Sequence, residues 1–205
     1  HLDGIMSIFQ ELEFRSLLDK LPKNYIPQKE VVEQKTPTSS GAIGKQDYQL
    51  IESISKLGPV LKKLAKQKEF VIDSETDQLN PIDAKVIGIS LCWEEGEAYY
   101  VTADVISESK ELQAILADPK IGKIGQNIKY DIQTLANSDW KLSPAIFDTM
   151  LASYLLDAGT RQHSLTNLAF NRFGYQMQPI EDLIGKGKGQ ISMRDVPVEK
   201  VSWYA

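Results

Sequence analysis

Glu69-Phe70-Val71-Ile72-Asp73-Ser74-Glu75-Thr76-Asp77 is an apolar run that ends in acid. Phe70, Val71 and Ile72 are aromatic or β-branched and read as a buried strand, because such residues suit a pleated interior. Alternate residues of a strand share a face, so Asp73 and Glu75 project together. Two anionic groups on one face at the end of an apolar strand repel each other and call for a compensating cation. Oxygen-only ligation favours Mg²⁺ or Mn²⁺ over zinc. The same pair also reads as a solvated strand end, so the rest of the chain has to decide between them.

Outward from this strand, the sequence divides into three parts. Residues 3–20 place Ile5, Ile8, Phe9, Leu12, Leu17 and Leu18 close to helical spacing, with Asp3 as N-cap and Pro22 as stop. Residues 1–21 are therefore an N-terminal helix, and residues 22–46, rich in Pro, Ser and Gly, are a flexible linker. The third part, 47–205, begins with a short strand at Tyr48–Ile51 and a helix from Ser53 to about Gln67, despite Gly58-Pro59. Strands are expected at 69–75, 84–93 and 96–102, the last two joined by a turn at Glu94-Glu95-Gly96. Ser107–Leu116 reads as a helix and Ile121–Gly125 as a strand. Helices follow at about 128–137, 145–157, 163–173 and 197–205. Strands first and helices after predict an α/β fold with a mixed central sheet.

Composition narrows the function. The chain has 205 residues, 42% hydrophobic and 25% charged, as in an ordinary globular protein. No apolar run approaches the length of a membrane span. The one cysteine, Cys92, cannot form an intrachain disulfide and fits a reducing cytoplasm. One Cys and two His leave no basis for a four-ligand zinc site or thiol catalysis. A net charge of −5 argues against a non-specific duplex coat. It is compatible with an enzyme that grips a few nucleotides of one strand, where metal ions neutralise phosphate.

Two further segments carry candidate chemistry. In Gly125-Gln126-Asn127-Ile128-Lys129-Tyr130-Asp131 a strand ends and Asn127 suits a helix N-cap. That puts Asp131 one turn into the helix, as a ligand or as a first-turn carboxylate favoured by the helix dipole. In Val201-Ser202-Trp203-Tyr204-Ala205, Tyr204 lies on the last helix as a core or as a site residue. Gly185-Lys186-Gly187-Lys188-Gly189 is not a P-loop, since the Lys-Ser/Thr pair and preceding strand are absent; it is a basic loop, solvated or touching phosphate. His163 precedes a helix as a cap or packing residue, and Asp148 lies among apolar residues, hydrogen-bonded inside the fold.

Together these segments resemble the proofreading 3′–5′ exonuclease domain of family A DNA polymerases, the bacterial DNA polymerase I group, over roughly residues 47–205. The stretch Phe70–Asp77 is similar to that family's first motif and Gly125–Asp131 to its second. Phe147-Asp148-Thr149-Met150-Leu151, with Ser153-Tyr154-Leu155-Leu156, resembles the next helix, and Gly185-Lys186-Gly187-Lys188 the basic glycine loop. Tyr204 matches the tyrosine of the third motif. Phe9–Leu18 resembles the stretch that leads from a 5′-nuclease part into the exonuclease. The resemblance implies a ribonuclease H-like fold, a mixed sheet flanked by helices.

The function implied is two-metal hydrolysis of the 3′-terminal phosphodiester of single-stranded or frayed DNA, releasing 5′-mononucleotides. Asp73, Glu75 and Asp131 would hold two divalent metal ions, Mg²⁺ or Mn²⁺, and Tyr204 would orient the attacking water. Thr76 and Leu79 would meet the terminal nucleotide, although Leu79 equally suits a core. Asn127 and Lys129 would reach phosphate or sugar, and Ile180 falls where relatives carry a base-wedging aromatic. The third motif's aspartate, one turn past Tyr204, is absent, so the chain is expected to be a C-terminally truncated, nearly inactive fragment. Its partners would be the 3′ end of single-stranded DNA and the polymerase domain of the same parent chain. Two other readings compete: a silent scaffold that binds single strands, and an RNA 3′-processing exonuclease of the same fold.

Overall fold

The computed structural model describes residues 47–205, together with Ile8; the expected helix over 3–20 and linker over 22–46 otherwise lie outside the described residues. Residues 47–159 and Gln178–Ala205 form one compact unit, which carries the sheet, and Thr160–Met177 belongs to a second.

The sheet is built around the acidic strand. Glu69–Thr76 (β2) alternates strictly, burying Phe70, Ile72 and Ser74 and turning Val71, Asp73 and Glu75 to the other face. Asp47–Ile51 (β1), Val86–Glu94 (β3), Glu97–Thr102 (β4), Gly122–Gly125 (β5) and Ala145–Asp148 (β6) complete one six-stranded sheet in the order β1-β4-β3-β2-β5-β6. β3 is antiparallel to β2 and to β4, while β1–β4, β2–β5 and β5–β6 pair in parallel. The β3–β4 hairpin turns at Glu95-Gly96, where Gly96 takes φ 89°, the left-handed conformation that tight hairpins ask of glycine. This is the mixed central sheet that the sequence predicts.

Helices cover the sheet where their apolar spacing allows. Ile54–Leu64 (α1) buries Leu57, Val60, Leu61 and Leu64, an i, i+3, i+4, i+7 stripe, and it accommodates Pro59 inside the helix. Leu57 and Leu64 are fully buried, so truncating either to Ala costs about 2–5 kcal/mol. The helix expected at 107–116 is two: Ala103–Glu108 (α2) and Lys110–Ala117 (α3), broken at Ser109. Ser109 Oγ accepts the Leu112 N–H (3.1 Å), and this cap restarts the helix. The main core gathers these faces with Phe70, Ile72, Ile89 and Leu91 of the sheet.

One expected helix is corrected. Residues 145–157 are not helical throughout: 145–148 pair with β5 as strand β6, and only Thr149–Leu156 (α5) is helical. Parallel ladder bonds to Lys123–Gly125 outweigh the helical propensity of this apolar run, and Asp148 ends the strand by capping α5. The remaining helices of the sheet unit are Ile128–Ala136 (α4), Glu181–Ile184 (α7) and Val198–Tyr204 (α8); Leu165–Phe173 (α6) lies in the second unit. There Ser164 Oγ caps α6 by accepting the Asn167 N–H, and Gly174 closes it at φ 64°.

Candidate active site

Strand β2 sets the site. Asp73 and Glu75 leave one face, as their spacing predicts, and Ser74 between them leaves the other. Ser74 meets α4: its N–H (2.8 Å) and its hydroxyl (2.6 Å) both donate to Asp131 Oδ1. Thr134, fully buried one turn on, bonds the same hydroxyl at 3.2 Å. Asp131 is 1% exposed, so it stands behind the strand, held at its carboxyl by the residue between Asp73 and Glu75. The sequence gives no hint of the role of Ser74 beyond its alternation.

The start of α4 is fixed from outside. Asn127 occupies the N-cap position as expected, but at φ 56° and with no side-chain cap bond. The cap is Asp148. Its carboxylate accepts the N–H groups of Asn127 (3.1 Å) and Ile128 (2.9 Å) and also those of Met150 (2.8 Å) and Leu151 (3.2 Å). One anion thus closes the N-termini of α4 and α5 together, where the helix dipole favours negative charge. The internal hydrogen bonding expected of Asp148 is present, and it reaches further than the sequence suggests.

Tyr204 arrives on α8. Met193, Val196 and Val201 bury with Tyr100 in a satellite core, against which Tyr204, Ile180 and Leu183 pack. The segment is also tied to the end of β2: Arg194 pairs with Asp77 at 3.2 Å, and Ser192 Oγ donates to the Asp77 carbonyl (3.0 Å). Burial, and then the charges of Glu75, Asp73 and Glu181, push the Tyr204 phenol up to about 12. It is a proton donor at neutral pH, not a base.

The other candidates are placed as follows. Thr76 Oγ1 and the Tyr130 hydroxyl lie 2.7 Å apart and each lies 3.0 Å from the Gln78 carbonyl, so that one donates to the carbonyl and the other to its neighbouring hydroxyl. This pins the loop after β2, on which Leu79 is 87% exposed; it is not a core leucine. Lys129 is exposed on the first turn of α4. Ile180 is half-buried against the satellite core, so its side chain supports α7 rather than standing free. Lys186 and Lys188 are exposed in the glycine loop.

Electrostatically the carboxyls form one group. Asp73 is open to solvent as a residue, yet protein crowds its carboxyl; that desolvation, and then the Glu75 charge, pushes it up to about 7. Burial and then Asp131 push Glu75 up to about 7. Burial and then Asp73 do the same to Asp131, against the pull of the two Ser74 hydrogen bonds. Among the described residues, no three His, Cys, Asp or Glu side chains converge as ligands of one ion. The strand therefore unites Asp73 and Glu75 on one face, with Asp131 within electrostatic range behind it.

A sequence model of a 3′–5′ exonuclease, that of the DNA polymerase A group, matches residues 48–205. The chain is 31% identical to DNA polymerase I of Pseudomonas aeruginosa across 99% of its own length, and spans 23% of that protein. In fold it is similar to Escherichia coli RNase D, an exoribonuclease involved in structured RNA processing. The TM-score is 0.59 at 18% identity, covering 78% of this chain and 41% of that one. It is similar also to Brucella melitensis NrnC with bound Mg²⁺, with a TM-score of 0.58 at 18% identity, covering 79% and 73%. The sheet is accordingly ribonuclease H-like. With that match running from the first residues of β1 to Ala205 and taking in β2, α4 and α8, the chain belongs to the 3′–5′ exonuclease domain family of family A DNA polymerases.

Proposed function

We propose that this domain hydrolyses the 3′-terminal phosphodiester of single-stranded or frayed DNA and releases 5′-mononucleotides, with two divalent ions, Mg²⁺ or Mn²⁺, at Asp73, Glu75 and Asp131. The observation that carries the reading is geometric: β2 turns Asp73 and Glu75 to one face, and Ser74 between them holds the buried Asp131 carboxyl, a crowding in which burial and mutual charge push each acid up to about 7. Such a site is poor at holding its own negative charge and gains most from a hard cation, and its donors are all oxygen. Asp73 and Glu75 would be direct ligands. Asp131, buried and engaged at Oδ1 by Ser74, would act through its charge and an ion's water shell. Divalent ions held there would supply positive charge against the attacking and leaving oxygens.

The chain's own residues do the rest. Glu75 accepts a hydrogen bond from the attacking water, and Tyr204, protonated, orients that water. Leu79, presented on its pinned loop, presses on the terminal base, a contact indifferent to sequence. Thr76, Asn127 and Lys129 reach sugar or phosphate, and Ile180 backs the strand without the stacking an aromatic ring would add. No protein nucleophile is needed. In the cell the domain would act in the cytoplasm, within a longer chain that carries a polymerase domain, and would edit mispaired 3′ ends.

The test is release of 5′-mononucleotides from 3′-labelled single-stranded DNA, with RNA of the same sequence alongside. The 205-residue chain is compared with a form extended through the next helical turn after Tyr204, and with Asp73→Ala in that extended form. The expected result is metal-dependent release from DNA by the extended form, little by the shorter chain and none by the variant. Silence in all three with the fold intact would overturn the nuclease reading in favour of a scaffold. Preference for RNA would overturn the substrate.

A further inference from the structure

A vacant side-chain position on β3 draws Tyr100 to the acidic face. Glu75 of β2 stands directly opposite Gly88 of β3 in the antiparallel ladder, and Asp73 stands opposite Ser90. On the far side of β3, Ser90 pairs with Tyr100 of β4. Directly opposed residues share a face, so Asp73, Glu75, Gly88, Ser90 and Tyr100 all look the same way. Gly88 is where the phenol goes. A Cβ built on it would lie 2.9 Å from Tyr100 Cε1 and closer still to Cζ and the hydroxyl oxygen. The ring therefore crosses β3 diagonally and puts its hydroxyl in the space that a side chain opposite Glu75 would fill. Opposed Cβ positions are only about 4.5–5.5 Å apart, so a rotation of the half-buried Glu75 side chain brings a carboxylate oxygen to the phenol.

Three observations fit a working role better than packing alone. Tyr100 is 3% exposed, so packing fixes its ring, and its reach across Gly88 aims the hydroxyl at the space opposite Glu75. Burial, and then the Glu75 charge, push its ionisation further up, so the phenol keeps its proton and has it to donate. Ser90, beside it, is small and leaves the approach to Asp73 open, with its own Oγ unpartnered.

We propose that Tyr100 is a positioning residue for the hydrolysis, its hydroxyl donating to one oxygen of Glu75 so that the other faces the attacking water. Gly88 is the residue that admits it. This rests on the nuclease reading above, and it adds a residue that no sequence motif contains.

Gly88→Ala would displace the ring and the satellite core with it, so the informative variant is Tyr100→Phe, which keeps the ring and removes one oxygen. Two readouts decide. The first is the ¹³C resonance of the Glu75 carboxyl in the 205-residue chain, with Mg²⁺ present. Tyr100→Phe is expected to move it while the Asp148 carboxyl stays fixed; an unmoved Glu75 overturns the inference. The second is single-turnover hydrolysis of single-stranded DNA with protein in excess, in the extended form. The maximum rate is expected to fall about tenfold, the size of one charge-assisted hydrogen bond, and half-saturation by DNA to stay the same. A wild-type rate for Tyr100→Phe, with Asp73→Ala inactive, refutes the proposal alone. Absence of hydrolysis by the unsubstituted protein refutes the nuclease reading instead, and the carboxyl resonance still decides the contact.

Discussion

Replacing Asp148 by Asn removes a charge and one acceptor from the junction of two helices without changing shape. In the native protein Oδ1 accepts three N–H groups, from Asn127, Met150 and Leu151, and Oδ2 accepts one, from Ile128. An Asn in its better orientation keeps its oxygen at the Oδ1 position and turns its amide group toward the Ile128 N–H, donor against donor. Losing that bond costs about 1–2 kcal/mol, since its acceptor was charged. Losing the anion at the starts of α4 and α5 costs about 0.3–1 kcal/mol at each. The sum is roughly 2–4 kcal/mol, a large share of a typical domain's 5–15 kcal/mol. Urea unfolding reads it as a lower midpoint at constant slope. Amide exchange adds a local signature, with the Ile128 and Met150 N–H groups losing protection before those of β3. A destabilisation under about 0.5 kcal/mol, the scatter of an ordinary surface change, would refute the argument that this carboxylate closes both helices.

Two more outcomes follow from buried charge. Lys123 is fully buried, and its ammonium donates to the carbonyls of Asp118 (2.9 Å), Ile121 (2.8 Å) and Ser143 (2.7 Å). Lys123→Met keeps the length but orphans these carbonyls, and should cost about 3–5 kcal/mol in urea unfolding. Burial, opposed by Asp118, pushes Lys123 down to about 8. The unfolded chain then holds the extra proton between pH 8 and about 10.4, so native stability contributed by this group rises with pH across that window, and the Met variant should lack that rise. The three carboxyls at about 7 act in the opposite sense: without metal, the folded state holds extra protons between about pH 4 and 7, so stability falls as pH rises through that range. The thermal midpoint in EDTA should drop between pH 5 and 8, and Mg²⁺ should raise it more at pH 8 than at pH 5. An equal rise at both would contradict a carboxylate site.

The sheet was legible because β2, β3 and β4 alternate or run apolar between clear turns, and Glu95-Gly96 is a hairpin signal on its own. β6 was not, because Ala145–Leu156 is mostly apolar and either period fits it. Only pairing with β5 separates strand from helix, and that is a non-local fact. Asp73 and Glu75 were legible for the opposite reason: a period of two fixes their common face locally. Asp131 was legible as a position, but its burial behind Ser74 depends on how α4 crosses β2. The double cap by Asp148 was hidden by Asn127, a better cap by local rules than by the fold. Tyr100 was hidden because nothing in sequence links residue 100 to residue 88 except the register of a hairpin.

The side chains around Tyr204 form a core of their own. Tyr100, Met193, Val196 and Val201 are buried together in a cluster distinct from the one that holds the sheet against α1. A small core opens more often than a large one. The tyrosine therefore has a residence time at the carboxyls that can differ from the lifetime of the fold. Loss of packing among these four side chains would therefore move Tyr204 while leaving the main core in place.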